Sequence, residues 1–221
     1  LICDVKPDFV FHLAAQALVR FAYNNPVETI MTNAMGSVNI LEALRSLDKD
    51  VVAIMITSDK AYDNVEWVWG YREIDRLGGK DPYSASKGMA ELAIRSYVES
   101  FYNNSKPNIK IGIARAGNVI GGGDWAMDRI VPDCMEAWAE NQTVDIRSPH
   151  ATRPWQHVLE PLSGYLTLAA SLYKSKMHHG EAYNFGPSSN QNHSVKRLLS
   201  FLEDEYLKNA KNEIGIYSEP Y

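Results

Sequence analysis

Three continuous apolar runs divide the first half of the chain, at residues 8–13, 51–57 and 109–115. Runs of this length, rich in β-branched residues, are typical of strands buried on both faces of a parallel sheet. We expect residues 8–13 to form a central strand. The intervening segments, residues 26–47 and 83–102, carry apolar residues at helical spacing. The alternation of strand and helix predicts an α/β fold with helices on both faces of the sheet.

The pattern becomes mixed after Asp124. The predicted elements there are a helix at 128–140, a short strand at 144–147, a helix at 160–174, a strand at 182–185 and a helix at 194–206. This order predicts a smaller mixed α/β lobe in residues 125–221, beside a sheet domain in residues 1–124, with strands exchanged between the two.

The composition excludes some classes of function. The formal net charge is −5 and the basic residues are scattered, whereas a nucleic-acid partner needs a clustered basic face. Cys3 and Cys134 lack the spacing of a metal site, and two free thiols are typical of the reducing cytoplasm. No stretch has the length of a membrane span, and no secretory signal is visible. We therefore expect neither a nucleic-acid partner nor a membrane association.

Polar or glycine-rich segments follow all three early strands. They are AAQ at 14–16, SDK at 58–60 and AGNVIGGG at 116–123. Open α/β sheets bind ligands outside the carboxyl ends of their strands, so the site is expected there. Glycines 121–123 lack the lysine of a P-loop, which favours a flexible turn. No histidine set has metal-ligand spacing, so no metal is expected, and His12 is interpreted as a core residue.

Tyr83 and Lys87 are the strongest candidates for chemistry. Their spacing places them one turn apart on the same face of a helix. A nearby ammonium lowers the pKa of a tyrosine by favouring the phenolate, and a phenolate can take a proton from a hydroxyl group. A surface helix with a chance tyrosine and lysine is the alternative.

Several motifs together resemble the extended short-chain dehydrogenase/reductase family, whose members act on nucleotide sugars. They cover residues 7–205 and include HLAAQ, TNAMGSVNIL, TSDK ahead of YSASK, RAGNVIGGGDW, RPWQHV and EAYNFG. TSDKAYDN, WGYRE and DPYSASKG are similar to the CDP-glucose 4,6-dehydratase group. QALVR departs from that group, which more often has a proline at its second position. The resemblance implies a Rossmann-like sheet, with its first βα units missing, and NAD as cofactor.

The resemblance also implies residue roles. Ser58, Tyr83 and Lys87 would act in oxidation at sugar C4. Lys60 would be the base at C5, which requires a neutral amine, and Asp59 the acid at O6, which requires a raised pKa. A solvated turn is the alternative for Asp59 and Lys60. The implied cofactor contacts are Leu13, Ala14, Ala15, Asn33, Thr57, Tyr83, Lys87, Ala116 and Val119. The implied substrate contacts are Gln16, Ser58, Asn118 and Arg153, the last on the pyrophosphate unless it is a surface arginine.

The glycine-rich dinucleotide fingerprint of that family does not occur in these 221 residues. By this resemblance the chain starts about two βα units into the fold and stops in mid-domain, so we expect the complete protein to be longer. Dehydration of CDP-glucose is the leading hypothesis. The alternatives are another nucleotide-sugar dehydratase or 4-epimerase, and a non-catalytic nucleotide-sugar-binding domain.

Three further expectations come with the resemblance. It implies a homodimer through helices 26–47 and 83–102. It also implies a cytoplasmic enzyme that supplies dideoxy sugars for surface polysaccharide such as the lipopolysaccharide O-antigen. Trp67 and Trp69, between the catalytic strand and helix, either cover the site or pack their own loop.

Overall fold

The computed structural model describes residues 1–213. Its helices are α1 (Ile2–Val5), α2 (Val19–Asn24), α3 (Pro26–Ile30), α4 (Gly36–Arg45), α5 (Pro82–Tyr97), α6 (Ile130–Ala139), α7 (Leu159–Lys174) and α8 (Val195–Glu213). Its strands are β1 (Phe9–His12), β2 (Val51–Ile56), β3 (Ile109–Ala116), β4 (Val119–Ile120), β5 (Thr152–Arg153), β6 (Gln156–His157), β7 (Ala182–Phe185) and β8 (His193–Ser194). Within the described residues, no helix is both long and apolar enough to cross a membrane.

Four strands form one parallel sheet in the order β1-β2-β3-β7. β2 and β3 lie at its centre, with Val51 opposite Ile109. Nearly all of their side chains are buried, as continuous apolar runs in a doubly covered sheet require. The strands expected at 51–57, 109–115 and 182–185 and the parallel α/β fold are therefore confirmed.

Residues 8–13 contain the expected strand, β1, while its expected central position in the sheet stays a prediction. β1 pairs with β2 alone among the described strands, and Phe9 is 42% exposed. Val10 packs into the core on one face of the sheet and Phe11 into the core on the other. These two contacts account for the apolar run, because apolar character reports side-chain burial and not the number of neighbouring strands.

Helices cover both faces of this sheet. On one face, Leu41 of α4 and Ile94 of α5 pack against the sheet residue Met55. On the other face, Leu168 and Leu172 of α7 pack against β2 and β3. Buried aliphatic side chains fill both cores, so the sheet is packed rigidly on both faces. The carboxyl edge of the sheet stays open to a ligand.

The two long predicted helices are confirmed, with local differences. Residues 26–45 are helical throughout, but Met31–Met35 forms a π-helical segment between α3 and α4. α5 begins at Pro82, where the Asp81 carboxylate accepts a hydrogen bond from the Ser84 amide at 3.0 Å. It continues into a second π-helical segment at Val98–Tyr102. The short helix α2 was not predicted.

The region after Asp124 departs further from expectation. No strand forms at 144–147, because no described strand lies beside it to complete a ladder. β7 joins the main sheet next to β3, and α7 packs on that sheet. The remaining strands form two small pairs, β4 with β6 and β5 with β8. The division at residue 124 stays a prediction, and residues 214–221 of the expected second lobe lie outside the described residues.

Candidate active site

A short turn follows β2 at the carboxyl edge of the sheet. Ser58 begins a 3₁₀ turn at Asp59–Ala61, and its hydroxyl oxygen accepts a hydrogen bond from the Lys60 amide at 3.2 Å. The same hydroxyl donates to the Asp59 carboxylate at 3.1 Å. Capping by serine and the end of β2 thus place three candidate residues side by side at the sheet edge.

The two members of the Asp59-Lys60 pair occupy different environments. Burial raises the pKa of the Asp59 carboxyl, while Ser58, Lys60 and Arg153 act in the opposite direction. This direction is the one that a proton-donating carboxyl needs. The Lys60 side chain is exposed. Burial by the described residues therefore does not supply the desolvation that the proposed neutral amine requires, which differs from expectation.

Helix α5 places Tyr83 and Lys87 together beside this turn. Both are buried on the same face of its first two turns. Burial raises the pKa of Tyr83, whereas the nearby Ser58 lowers it. The pKa of Tyr83 is therefore raised, whereas a neighbouring ammonium would lower it. Loss of hydration disfavours the phenolate more than the surrounding groups stabilise it. The expected lowering of the Tyr83 pKa is wrong for the protein without ligand.

Lys87 is a desolvated cation. Only 6% of the residue is exposed, and burial lowers its pKa to about 8, with the Glu91 carboxylate acting in the opposite direction. Among the described residues, its ammonium group has no hydrogen-bond partner. An ammonium in this setting is available to hydroxyl groups of a ligand at the sheet edge.

Three other predicted contacts use their side chains within the protein. The Asn33 amide group accepts from the Gln16 backbone N–H at 2.8 Å and donates to the Ser86 hydroxyl at 2.9 Å. The Gln16 side chain donates to the Thr29 hydroxyl at 2.9 Å and accepts from the Leu18 amide. The Thr57 hydroxyl donates to Glu91 at 2.6 Å. These polar groups fix the loop after β1 and the end of β2, and their roles as ligand contacts stay predictions.

The remaining predicted cofactor contacts lie at strand ends. Leu13, Ala14 and Val119 are exposed, while Ala15 and Ala116 are half-buried. These small or apolar side chains leave the carboxyl edge open. His12 is half-buried, and its Nε2 lies 3.4 Å from the Ser37 hydroxyl. In the loop before α5, Trp67 packs on Tyr71 with ring centroids 5.3 Å apart, while Trp69 is exposed.

A cleft of about 630 Å³ adjoins the turn. Its lining residues include Asn118, Gly121, Gly122, Gly123, Arg129, Val144, Ile146, Arg147, Arg153 and Trp155. The whole lining contains three arginines, two tryptophans and four aspartates. Arg129 Nε and Trp155 Nε1 are buried and have no hydrogen-bond partner among the described residues, although Arg129 Nε lies 3.9 Å from the Asp124 carboxylate. Buried donors of this kind are expected to find a partner, so the cleft suits a ligand with hydrogen-bond acceptors at these two positions.

Arg153 and Asn118 of this cleft were predicted from the sequence, but its other polar residues were not. Arg129 and Arg147 stand outside the recognised motifs, and Trp155 was quoted in RPWQHV without a role. Val144 and Ile146, expected in a strand, instead line the cleft. The tryptophan within a quoted motif was the one available signal, because the arginines meet only through the fold.

Gly117 joins the cleft to the turn. A Cβ atom at this position would lie 2.6 Å from the Pro154 ring and 3.5 Å from the Asp59 carboxylate. Arg153 is also close enough to Asp59 to affect its pKa. The structure therefore brings Ser58, Asp59, Tyr83 and Lys87 together with one end of an arginine-lined cleft.

Comparison with known proteins identifies the family. The family model described as GDP-mannose 4,6 dehydratase matches residues 1–213. CDP-glucose 4,6-dehydratase of Salmonella typhimurium is 50% identical over 201 residues, which are 90% of this chain and 56% of the relative. CDP-paratose 2-epimerase of Salmonella typhi is 25% identical over 92% of this chain and 64% of its own length. The chain thus spans between about half and two thirds of these relatives.

Solved structures show the same fold. A dTDP-glucose 4,6-dehydratase from Streptomyces venezuelae, solved with NAD bound, has a TM-score of 0.76 at 20% identity and covers 89% of this chain and 56% of its own. A UDP-glucuronic acid 4-epimerase from Bacillus cereus, with UDP-glucuronic acid and NAD, has a TM-score of 0.77 at 23% identity over 92% and 61%. These likenesses support the Rossmann-like fold, and the 50% identity to the Salmonella protein confirms the resemblance seen in the motifs. The chain therefore belongs to the GDP-mannose 4,6 dehydratase family.

Proposed function

We propose that the complete protein is a nucleotide-sugar 4,6-dehydratase that removes water from CDP-glucose to give CDP-4-keto-6-deoxyglucose. The observation that carries the proposal is the Asp59-Lys60 turn beside Tyr83 and Lys87. Tyr83 and Lys87 suit oxidation of a sugar hydroxyl, and the adjacent carboxyl and amine suit elimination. The 50% identity to a CDP-glucose 4,6-dehydratase supports the choice of substrate.

In this mechanism Tyr83, Lys60 and Asp59 each transfer one proton. Tyr83 takes the proton of the C4 hydroxyl, which the Ser58 hydroxyl orients. Lys60 removes the C5 proton, which the neighbouring C4 ketone makes acidic. Asp59 protonates the departing C6 hydroxyl, in agreement with the raised pKa of its carboxyl. Because Lys60 is exposed in the described structure, bound substrate would have to exclude water around its amine.

The residues present fit one half of an NAD molecule. The unpartnered Lys87 ammonium suits ribose hydroxyls, and Tyr83 lies beside it. Leu13, Ala14 and Val119 leave an open, mainly apolar surface for the ring. When bound, NAD would accept a hydride from the sugar and return it. The cofactor pyrophosphate would bind at the glycine-rich dinucleotide fingerprint of the family, which does not occur in these 221 residues.

The arginine-lined cleft is proposed to hold the nucleotide diphosphate. Arg153 lies near Asp59 and Arg129 near Tyr83, so a diphosphate held by both would lie beside the sugar at the turn. Planar guanidinium groups suit phosphate oxygens. The buried Trp155 indole N–H offers a further donor.

Product formation tests the proposal directly. The full-length protein would be incubated with NAD and, separately, CDP-glucose, dTDP-glucose, UDP-glucose and GDP-mannose, and loss of water measured by mass. We expect fastest loss from CDP-glucose. Lys60→Ala should lower the rate by about a hundredfold or more, whereas Lys174→Ala, which changes an exposed lysine at the end of α7, should not. Equal rates in both variants would refute the base assignment.

We further propose a homodimer formed through α3, α4 and α5. Val27 is 73% exposed and Leu92 is 59% exposed, and Met31, Met35 and Met89 lie exposed on the same pair of helices. Apolar side chains grouped in this way mark an interaction surface. Leu92→Glu should convert dimer to monomer in sedimentation, whereas Leu166→Glu on α7 should not. A monomeric parent protein would contradict the proposal.

We propose the cytoplasm as the location, with the product supplied to dideoxy sugar synthesis for surface polysaccharide. Both cysteines are free, Cys3 exposed and Cys134 buried. This supports a reducing compartment. Fractionation of the producing cells with an antibody to the protein would test it, and recovery outside the cytoplasmic fraction would contradict it.

A further inference from the structure

A buried ion pair lies directly behind the proposed catalytic residues. Glu91 and Arg115 are 0% and 1% exposed. The Arg115 guanidinium donates to both carboxylate oxygens of Glu91, with its Nε 2.7 Å from Oε1. Apolar residues of similar volume often stabilise a core as well as a buried ion pair does. Stability alone therefore gives little reason for two charges at this position.

The pair contacts both ends of the turn at Asp59–Ala61. Just before the turn, the Thr57 hydroxyl donates to Glu91 at 2.6 Å. Just after it, the Tyr62 hydroxyl accepts a hydrogen bond from Arg115 Nη1 at 2.6 Å, and the guanidinium lies 4.6 Å from the centre of the Tyr62 ring. The Tyr62 hydroxyl in turn donates to the Asn184 side chain at 2.7 Å. The residues flanking the turn thus share one charged centre.

Glu91 also belongs to the helix of Tyr83 and Lys87. It lies one turn beyond Lys87 and two turns beyond Tyr83 on the same buried face of α5. Arg115 comes from β3, so the pair joins that helix to the centre of the sheet. A single carboxylate therefore connects the helix with Tyr83 to the turn with Asp59.

We propose that Glu91, Arg115 and Tyr62 are positioning residues that fix the Asp59-Lys60 turn relative to Tyr83 and Lys87. The inference rests on the proposed function, because oxidation at C4 and elimination across C5 and C6 then need both groups on one sugar. A displacement of about 1 Å can lower a rate about a hundredfold. Loosening the turn should therefore slow loss of water more than oxidation at C4.

The test uses a mild change. Glu91→Gln is expected to unfold the protein, because it leaves the Arg115 charge buried without a counter-ion and removes the acceptor of one of its hydrogen bonds. Tyr62→Phe removes only the hydroxyl between Arg115 and Asn184. Tyr102→Phe is the matched control, since it removes another buried hydroxyl, which donates to the Leu41 carbonyl on the far side of the core.

Amide hydrogen exchange in the full-length protein without ligand gives the first readout. The Ala61 and Tyr62 amides donate to the Ser58 and Asp59 carbonyls. In Tyr62→Phe we expect these amides to exchange about tenfold faster, with β2 and β3 unchanged. In Tyr102→Phe they should keep the parent rate. Unchanged exchange in the turn of Tyr62→Phe would overturn the inference, whether or not the protein is a dehydratase.

Turnover on CDP-glucose gives the second readout. The 4-keto glucose intermediate would be trapped by borodeuteride at intervals and measured by mass, beside the dehydrated product. Tyr62→Phe should accumulate this intermediate relative to the parent protein. A variant that slows oxidation and loss of water by equal factors would show a general structural role instead. A parent protein that dehydrates no sugar refutes the proposed function but leaves the exchange result decisive for positioning.

Discussion

Lys87→Met is expected to abolish activity while making the protein more stable. Lys87 is 6% exposed, and its ammonium lacks a hydrogen-bond partner among the described residues. Its pKa falls from 10.5 to about 8 because burial disfavours the charged form. Methionine has a similar length and no charge to desolvate, so it removes this cost while filling the same space.

The size of the effect follows from the pKa. The pKa falls by about 2.5, and a change of one in the pKa corresponds to about 1.4 kcal/mol. The charged amine therefore destabilises the fold by about 3 kcal/mol. This figure already includes the favourable interaction with Glu91, so we expect Lys87→Met to raise the free energy of unfolding by about 3 kcal/mol at neutral pH. For a chain of this length, the melting temperature should rise by about 6–12 °C.

The pH dependence gives the sharper test. The folded pKa is below the unfolded one, so the unfolded chain binds more protons between about pH 8 and pH 10.5. The stability of the parent should therefore rise with pH across that window, as the amine loses its charge in the folded state. Below about pH 8 the cost of the buried charge is fully present. The advantage of Lys87→Met should thus be largest there and vanish near pH 10.5.

Urea unfolding at about pH 7 and about pH 9.5, with Lys174→Met as an exposed control, measures these differences. Tyrosines that titrate in the same pH range affect the stability of parent and variant alike, so the difference in stability between the two proteins removes their contribution. The reasoning fails if Lys87→Met is no more stable than the parent at neutral pH, or if the gap between them is the same at both pH values. Activity should be lost in Lys87→Met and kept in Lys174→Met.

Three further predictions concern other parts of the protein. Asp59→Asn should slow loss of water at least about a hundredfold. The variant should also be more stable than the parent in urea unfolding at a pH above the ordinary carboxyl pKa, because burial raises the pKa of Asp59 and so disfavours its charged form. Gly164→Ala should destabilise by about 1–3 kcal/mol, since its Cβ would collide with the Phe185 ring, whereas Gly186→Ala meets no atom and should be tolerated in the same urea assay. Arg129→Gln should weaken binding of CDP about tenfold by calorimetry, and unchanged affinity would exclude Arg129 from the nucleotide site.

Local sequence signals predicted the central elements of the fold because each depends on neighbouring residues. The runs at 51–57 and 109–115 are apolar throughout, and Asp81 with Pro82 marks the start of α5. The pairing of β7 with β3 was not predictable in this way, because strand order depends on pairing between distant segments. The strand predicted at 144–147 does not form, because its apolar residues line a cleft and have no neighbouring strand among the described residues.

The same limit applies to the candidate site. Spacing placed Tyr83 and Lys87 on one face of a helix, and the family motifs then indicated both of them together with Asp59 and Lys60 of the short turn. The exposure of Lys60 and the raised pKa of Tyr83 depend on packing around them, which the motif does not contain. Glu91 was also missed. Its partner Arg115 lies on another element 24 residues away in sequence, and only the fold brings the two charges together.

The arginine-lined cleft and the buried ion pair have no residue in common, and this separation bears on how substrate preference can change. Residues 118–155 of the cleft lie mostly in loops that tolerate replacement. Glu91 and Arg115 can change safely only as a pair, since either charge alone would be left without its counter-ion in the core. Libraries that vary the cleft should therefore yield folded proteins with new nucleotide preferences, while libraries at the ion pair should yield few folded members.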